Sequence, residues 1–301
     1  MPNLDRIERA LHAALQAIDG PGRPPRLAGA MQHAVFPSGA RIRPQLVLAV
    51  AHACGEDDPA LTDAAAVAIE LLHCASLVHD DLPCFDDAAT RRGRPSVQKA
   101  WGERLAVLAG DALIVAAYEA LGRAAGRHVS RLPGLLATVS RGVGMPLGIV
   151  AGQAWECEPQ VTLRDYQQAK TGALFAAATM AGAQSAGSTP EPWRGLGERL
   201  GQAYQVADDI RDVVGDAQAL GKPVHRDIEL DRPSMTRELG LDGALAEFRR
   251  LMDETEAAVP DCPGAAGFRA LIRHEARRLV PTGLEDIRPR TPEAAWRVQA
   301  A

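Results

Sequence analysis

The chain has 301 residues, of which 47% are hydrophobic but only 4% aromatic, and its formal net charge is −5. This apolar fraction is enough to bury a substantial core, and the scarcity of aromatic residues indicates a core of Ala, Leu, Val and Ile, as in closely packed helices. With 33 basic and 38 acidic residues, the charge is balanced, which argues against binding of nucleic acid or of an anionic membrane.

The cysteines and the N-terminus favour an intracellular protein. The five cysteines form no Cys-x-x-Cys pair and no histidine spacing completes a zinc site, so reduced thiols are expected. The charged N-terminus is not followed by the apolar stretch of a signal peptide. No uninterrupted apolar run reaches the roughly 18 residues of a membrane span. We therefore expect a cytoplasmic protein without a membrane span.

Helical periodicity runs through the chain and is interrupted where Pro and Gly cluster. The first long predicted helix, residues 61–78, is apolar on most faces, which predicts a central, buried helix. Further helices are predicted at residues 105–121, 165–183, 195–214 and 241–259. We find no convincing β-hairpin, no strand–helix alternation and no internal repeat. The sequence therefore predicts an all-α fold, one domain over residues 1–301 with a peripheral tail from about residue 281.

Two aspartate clusters indicate the chemistry. The first, His-Asp-Asp-Leu-Pro-Cys-Phe-Asp-Asp at residues 79–87, directly follows the apolar helix. In the second, at residues 204–212, Asp208 and Asp212 are four residues apart and share a helix face. Either cluster alone would usually be a solvated surface. Together they are suited to Mg²⁺, which prefers carboxylate, water and phosphate oxygens and neutralises a leaving diphosphate.

Further motifs complete an ordered set along the chain. The set reads Asp80-Asp81-x4-Asp86, Arg91-Arg92-Gly93-Arg94-Pro95-Ser96, Lys170-Thr171-Gly172, Tyr204-Gln205-x2-Asp208-Asp209-x2-Asp212 and Gly221-Lys222. It resembles the trans-prenyltransferase (polyprenyl synthetase) family from about Pro37 to Ser234. The resemblance implies the isoprenoid synthase fold, a single large helical bundle around a central apolar-lined cavity. It also implies a Mg²⁺-dependent enzyme that joins isopentenyl diphosphate to an allylic diphosphate, and a homodimer.

The resemblance assigns a role to each matching residue. The implied magnesium ligands are Asp80, Asp86, Asp208 and Asp212, with Asp81 and Asp209 in support. The implied contacts to the allylic diphosphate are Arg91, Lys170 and Lys222. The chain has only three lysines, so the two at motif positions are notable. The implied isopentenyl diphosphate site comprises Gly39, Arg43, Arg92 and Gln98. Thr171 and Gln205 would line the cavity as dipoles that do not trap the allylic cation.

The implied reaction needs no histidine base. Mg²⁺ draws diphosphate from the allylic substrate, the isopentenyl double bond attacks the carbocation, and the departing diphosphate takes the proton. We therefore interpret His73 and His79 as structural. Several positions depart from the family pattern: Ala40 replaces a lysine, Gln98 a histidine, Ala88 and Ala89 acidic residues, and Arg232 a lysine. Arg41 is expected to compensate for the charge lost at Ala40.

Product length is expected to depend on Ala75, five residues before Asp80. In the family an aromatic side chain at this position blocks the hydrocarbon tunnel and is associated with a fifteen-carbon product. A small residue here resembles the bacterial geranylgeranyl diphosphate synthases, so we expect a twenty-carbon product, with farnesyl diphosphate as the alternative. Dimethylallyl, geranyl and farnesyl diphosphate all remain open as the allylic substrate.

Two other classes of protein share parts of the pattern. A non-catalytic subunit that regulates a prenyl synthase would keep the fold, and Ala40 and Gln98 favour it, whereas the two intact aspartate clusters do not. A class I terpene cyclase also ionises a diphosphate with aspartate-rich sites. It has no second diphosphate, however, for the Lys-Thr-Gly motif and the double arginine to bind.

Overall fold

The computed structural model describes residues 2–36, 39–160, 162–214 and 234–279. Its α-helices are α1 (Pro2–Ala17), α2 (Pro25–Val35), α3 (Ile42–Ala53), α4 (Pro59–Asp80), α5 (Val97–Trp101), α6 (Glu103–Ala124), α7 (Leu132–Val143), α8 (Ile149–Ala154), α9 (Leu163–Gln167), α10 (Ala173–Ser185), α11 (Glu191–Val214), α12 (Met235–Ala257) and α13 (Ala265–Leu279). Short 3₁₀ turns lie at Val129–Arg131 and Trp155–Cys157, and a π-helical turn at Gln168–Gly172. The all-α prediction is confirmed; the predicted peripheral tail lies outside the described residues.

Helix α4 lies at the centre of the bundle, as the sequence predicted. It starts at Asp58, whose side chain accepts a hydrogen bond from the Leu61 amide at 3.2 Å, and Pro59 occupies the first turn. It packs against α3, α6 and α10. Ile69 and Leu72 are 0% and 1% exposed. Burying each such side chain contributes about 1.5–3 kcal/mol of transfer free energy. This packing fixes the position of the acidic residues at the end of α4.

The predicted helix at residues 165–183 is divided into α9, the π turn and α10. Helix α10 is buried on nearly all faces and packs between α3, α7 and α11. The π turn adds a residue to the helical repeat, which shifts the side-chain direction locally. Hydrophobic periodicity did not reveal it, because the pattern continues on both sides of the turn.

A small antiparallel ribbon overturns the expectation of no β-hairpin. Strands β1 (Thr90–Arg91) and β2 (Arg94–Pro95) pair with Arg91 opposite Arg94. The turn between them has positive φ at Arg92 (53°) and Gly93 (73°), as in a type I′ hairpin. Two-residue strands are too short to show alternation in the sequence, so only the turn residues carry a signal.

Helices α4 and α6 are both long and apolar enough, by length and composition, to cross a membrane. The sequence analysis expected no membrane span because it searched only for uninterrupted apolar runs. These two helices meet the length and hydropathy of a span although each contains charged residues. Within the qualifying stretch, 78% of α4 but only 39% of α6 is buried in the protein. The outward face of α6 exposes Val107, Leu108 and Val115 by 41%, 51% and 64%.

Candidate active site

The first acidic cluster forms where α4 ends and the chain turns back on itself. The Asp86 amide donates to the Asp80 carbonyl at 3.0 Å, and the Asp87 amide donates to the Leu82 carbonyl at 3.0 Å. Asp87 adopts a left-handed φ of 42°, which an aspartate tolerates better than most residues. These bonds bring Asp80 and Asp86, predicted metal ligands, to neighbouring positions.

Asp81 binds an arginine of the hairpin. Its carboxylate is 2% exposed and accepts from Arg91 Nε at 3.0 Å and from Arg91 Nη2. Arg91 Nη2 also lies 3.7 Å from Asp80 Oδ2. Burial raises the pKa of Asp81, although Arg91 opposes this shift. Asp81 therefore orients Arg91 towards the first acidic cluster, where the sequence predicted a diphosphate contact.

Lys170 projects from the π turn towards the same cluster. Its Nζ lies 3.5 Å from Asp80 Oδ1 and donates to Glu156 Oε1 at 2.5 Å. Although burial favours the neutral amine, the charge of Asp80 and the Glu156 contact raise the pKa of Lys170. A Cβ on Gly152 would lie 2.3 Å from the Lys170 backbone nitrogen, so a glycine is required for α8 to pack against this turn. Lys170 is therefore a fixed cation beside Asp80.

The next residue of the π turn connects to the second acidic cluster. Thr171 Oγ1 donates to Gln205 Oε1 at 3.2 Å, and Gln205 Nε2 donates to Asp209 Oδ1 at 2.9 Å. Asp209 is 2% exposed, and its Oδ2 accepts from the Met235 amide at 2.7 Å. Asp209 thus joins α11 to the start of α12.

Asp208 and Asp212 lie one turn apart on α11. The Asp208 side chain is 41% exposed and accepts from Arg211 at 3.2 Å, whereas Asp212 is 7% exposed. A Cβ on Gly201 would lie 2.8 Å from Gly172 Cα, so α11 approaches the π turn at backbone distance. The second cluster is therefore carried on a helix held directly against the lysine motif.

The π turn connects the two acidic clusters through side-chain contacts. Lys170 reaches Asp80 on one side, and Thr171 reaches Gln205 and, through it, the α11 cluster on the other. Within the described ranges, no group of three or more His, Cys, Asp or Glu side chains can hold a metal by itself. This donor set fits Mg²⁺, which is typically bound by one or two carboxylates together with waters and substrate phosphates. Asp80, Asp86, Asp208 and Asp212 are the residues that would hold it.

A cluster of arginines lies beside α4, at the predicted isopentenyl diphosphate site. The Arg43 guanidinium lies over the Phe175 ring at 4.5 Å, and Arg43 Nη1 is 3.4 Å from His73 Nε2. Burial lowers the pKa of Arg43. Arg43 Nε and Arg92 Nη1 are buried and have no hydrogen-bond partner. Because buried donors are normally satisfied, two unpaired guanidinium donors indicate a site for an anion.

Gly39 lies against this cluster, as the resemblance implied. A Cβ at Gly39 would lie 2.8 Å from Arg92 Nε, so any larger residue would displace that guanidinium. Gln98 instead stabilises the segment before the hairpin, because its Nε2 donates to the Ala88 carbonyl and to Asp87 Oδ1, each at 3.2 Å. Its assignment as a substrate contact stays a prediction.

Arg41 does not compensate for the charge missing at Ala40, contrary to expectation. Its side chain is fully buried and binds Glu8 and Glu70 at 2.8 and 2.6 Å and the Val35 carbonyl at 2.8 Å. The left-handed φ of 50° at Arg41 turns the side chain into the core, while Ala40 is exposed. Every nitrogen of this guanidinium is already engaged.

Sequence reasoning did not include two residues of the site. His73 was interpreted as structural, but the structure places it beside Arg43, and burial together with the neighbouring arginines lowers the pKa of His73 well below its usual value. Glu156 received no role, yet it also accepts from Tyr166 Oη at 2.6 Å. Burial raises the pKa of Tyr166 to about 12. For His73, the sequence signal was its position seven residues before Asp80 on the same predicted helix.

The last two predicted site residues are Lys222 and Ala75. Lys222 lies outside the described residues, so its diphosphate contact stays a prediction. Ala75 is 1% exposed within the apolar core of α4. Its role in setting product length stays a prediction.

Comparison with known proteins identifies the family. The sequence profile of the polyprenyl synthetase family matches residues 24–260. The chain belongs to the polyprenyl synthetase family. It is 52% identical to the geranylgeranyl diphosphate synthase of Cereibacter sphaeroides, over 92% of this chain and 96% of that protein. It is 48% identical to the enzyme of the same name from Rhodobacter capsulatus, over 91% of this chain and 95% of that one.

A farnesyl diphosphate synthase from Haemophilus influenzae is more distant, with 34% identity over 88% of this chain and 92% of its own. Among solved structures, the fold is similar to a geranyltransferase from Helicobacter pylori in complex with magnesium and isoprenyl diphosphate. The two share 28% identity and a TM-score of 0.77, over 92% of this chain and 98% of the other. The all-α isoprenoid synthase fold predicted from the motifs is thereby confirmed.

Proposed function

We propose that this protein is a Mg²⁺-dependent trans-prenyltransferase that condenses isopentenyl diphosphate with an allylic diphosphate to form geranylgeranyl diphosphate. One observation carries the proposal: the π turn connects two acidic clusters, and a separate arginine cluster with unpaired donors lies beside the same central helix. A reaction that joins the hydrocarbon parts of two diphosphate esters needs two anion sites, one for each diphosphate group. The relatives with 52% and 48% identity support this substrate class.

Different residues would bind each of the two substrates. Lys170 and Arg91 approach different oxygens of Asp80, and both would donate to the allylic diphosphate. Magnesium held by the aspartates would neutralise the charge that develops on this diphosphate as it leaves. Thr171 Oγ1 donates to Gln205 Oε1 at 3.2 Å, so the two side chains would present neutral dipoles and no charged nucleophile to the allylic cation. Arg43 and Arg92 would hold isopentenyl diphosphate so that its double bond attacks the allylic cation.

The direct test combines labelled isopentenyl diphosphate with dimethylallyl, geranyl or farnesyl diphosphate in separate reactions containing Mg²⁺. Products are dephosphorylated and separated by carbon number. We expect label in a twenty-carbon alcohol and no incorporation after chelation of the metal. A regulatory subunit would incorporate no label by itself. A terpene cyclase would convert the allylic substrate to hydrocarbon without isopentenyl diphosphate.

Product length is proposed to depend on the apolar face of α4 at Ala75. The relatives named for the twenty-carbon product share 52% and 48% identity with this chain, whereas the farnesyl diphosphate synthase shares 34%. In an Ala75→Phe variant the added ring would fill space below the acidic cluster, and we expect shorter products on chromatography. Ala75→Ser is the matched control and should keep the wild-type product length. Unchanged products in Ala75→Phe would refute this account of length control.

We also propose that the protein functions as a homodimer through α6. Val107, Leu108 and Val115 form an exposed apolar stripe at helical spacing, and such patches mark association sites. Val115→Asp should shift the mass measured by light scattering from dimer to monomer. Val129→Asp, an equally exposed valine on the 3₁₀ turn after α6, is the control. A wild-type protein that is monomeric would contradict this proposal.

A further inference from the structure

The arginine cluster contains a carboxylate that the substrate roles do not use. Glu70 lies on the inner face of α4 and is 1% exposed. Its Oε1 accepts from Arg41 Nη1 at 2.6 Å and lies 3.8 Å from Arg92 Nη2. A buried carboxylate is costly unless it is paired, and removing one member of a buried pair leaves the other charge uncompensated. Glu70 is therefore a fixed part of this cluster.

The contacts of Arg41 show which side of Glu70 faces the core and which side faces Arg92. Arg41 binds Glu8, Glu70 and the Val35 carbonyl, so its donors are all directed into the core. It anchors Glu70 from the rear. On the other side, Glu70 faces Arg92, whose guanidinium rests on Gly39 and whose Nη1 lacks a partner.

The charges of this group are only partly balanced. Three guanidinium groups, on Arg41, Arg43 and Arg92, are accompanied by the carboxylates of Glu70 and Glu8, which leaves one positive charge. That surplus lies with the unpaired donors of Arg43 and Arg92. The arrangement keeps Arg92 near Glu70 yet does not satisfy it, because 3.8 Å is too long for a strong hydrogen bond.

We propose that Glu70 is a positioning residue of the isopentenyl diphosphate site: anchored by Arg41, it holds the Arg92 guanidinium over Gly39 so that an unpaired donor faces the diphosphate. The inference rests on the proposed function, because it takes isopentenyl diphosphate as the anion bound by Arg43 and Arg92. Glu70 touches no substrate atom and acts through Arg92.

The test compares two substitutions that remove the same charge from the same network. Glu70→Gln keeps the shape and one acceptor but loses the attraction for Arg92. We expect the KM for isopentenyl diphosphate to rise about tenfold, the loss expected for one charge-assisted hydrogen bond. The KM for the allylic substrate and kcat should be unchanged. Glu8→Gln is the matched control, because Glu8 pairs with Arg41 but not with Arg92, and its KM values should remain those of the wild type.

A double-mutant cycle separates positioning from general stability. In an Arg92→Gln background, adding Glu70→Gln should raise the KM for isopentenyl diphosphate no further, because Glu70 acts through Arg92. Additive increases, or an equal increase in Glu8→Gln, would overturn the proposal. If Glu70→Gln does not fold, as judged by thermal unfolding, Glu70→Asp keeps the charge and shortens its reach. It should raise the same KM several-fold, and an unchanged KM would overturn the proposal.

Calorimetric titration of isopentenyl diphosphate alone makes the two proposals distinguishable. Weaker binding to Glu70→Gln than to the wild type supports the positioning role even if no turnover is observed. Equal binding to both proteins contradicts the positioning role while leaving the proposed reaction intact. A wild-type protein that incorporates no isopentenyl diphosphate in the labelling assay would instead refute the proposed function.

Discussion

The acidic clusters and the arginine cluster present opposite charges to an anion. The end of α4 and α11 each present carboxylates, of which Asp80 contacts Lys170, and carboxylates can bind a diphosphate only through cations. Beside α4, Arg43 and Arg92 offer guanidinium donors directly. Under the proposed function, one substrate would be bound and activated through a metal, whereas the other would be bound without activation of its leaving group.

In each of the two regions, side chains of the opposite charge balance part of the local charge. The acidic side is neutralised in part by Lys170 and Arg91, both of which contact Asp80. The arginine side is neutralised in part by Glu70 and Glu8 from the rear. In each case a bound metal ion or substrate group would need to balance only the remaining charge, which would limit the cost of desolvating the site.

The largest effect is expected from Asp80→Asn. Asp80 is contacted by both Lys170 and Arg91, so its loss removes a proposed metal ligand and the common partner of two cations. We expect kcat to fall by about 10²–10³-fold, the scale seen when one group that stabilises transition-state charge is removed. Steady-state kinetics with saturating Mg²⁺ would measure it. Asp253→Asn on the exposed side of α12 is the control, and equal rates in the two variants would contradict the role of Asp80.

An intermediate effect is expected from Arg43→Gln on the arginine side. The loss of charge-assisted hydrogen bonds worth about 1.5–3 kcal/mol should raise the KM for isopentenyl diphosphate roughly 10- to 100-fold. The Mg²⁺ concentration for half-maximal rate should not change. Arg94→Gln is the comparison, since Arg94 already donates to the Phe36 carbonyl at 3.0 Å. A changed metal requirement in Arg43→Gln would show that the two regions are not separate.

The smallest effect is expected from Glu156→Gln. Lys170 Nζ lies 2.5 Å from Glu156 and 3.5 Å from Asp80, so weakening the first contact should let Lys170 move closer to Asp80. The lysine would then compete with the metal, and the Mg²⁺ concentration for half-maximal rate should rise several-fold. A metal titration of the rate measures this, with Glu158→Gln as the exposed neighbouring control. An unchanged titration midpoint would show that Glu156 does not restrain Lys170.

Much of the acidic side could be predicted from the sequence, because its residues are concentrated in short motifs on helices of clear periodicity. The turn after Asp80 and the pairing of Thr171 with Gln205 bring those motifs together as expected. The π turn could not be predicted, because the extra residue leaves the apolar pattern of the flanking helices intact.

The arginine side was harder to predict, because its residues come from α3, α4 and the hairpin and are arranged by packing. Arg41 and Arg43 lie two residues apart, yet one is turned into the core by a left-handed φ and the other faces Phe175. Sequence spacing contains no information on that choice. His73 and Glu156 likewise gain their neighbours only through tertiary contacts.

The most direct test of the central claim measures each substrate's binding by calorimetry with Mg²⁺ and with chelator. The ligands are isopentenyl diphosphate and an unreactive allylic thiolodiphosphate. Isopentenyl diphosphate should bind with similar affinity in both conditions, because the proposed contacts of Arg43 and Arg92 to it are direct. The allylic analogue should bind only with Mg²⁺. Equal metal dependence of the two ligands would contradict the existence of two separate anion sites.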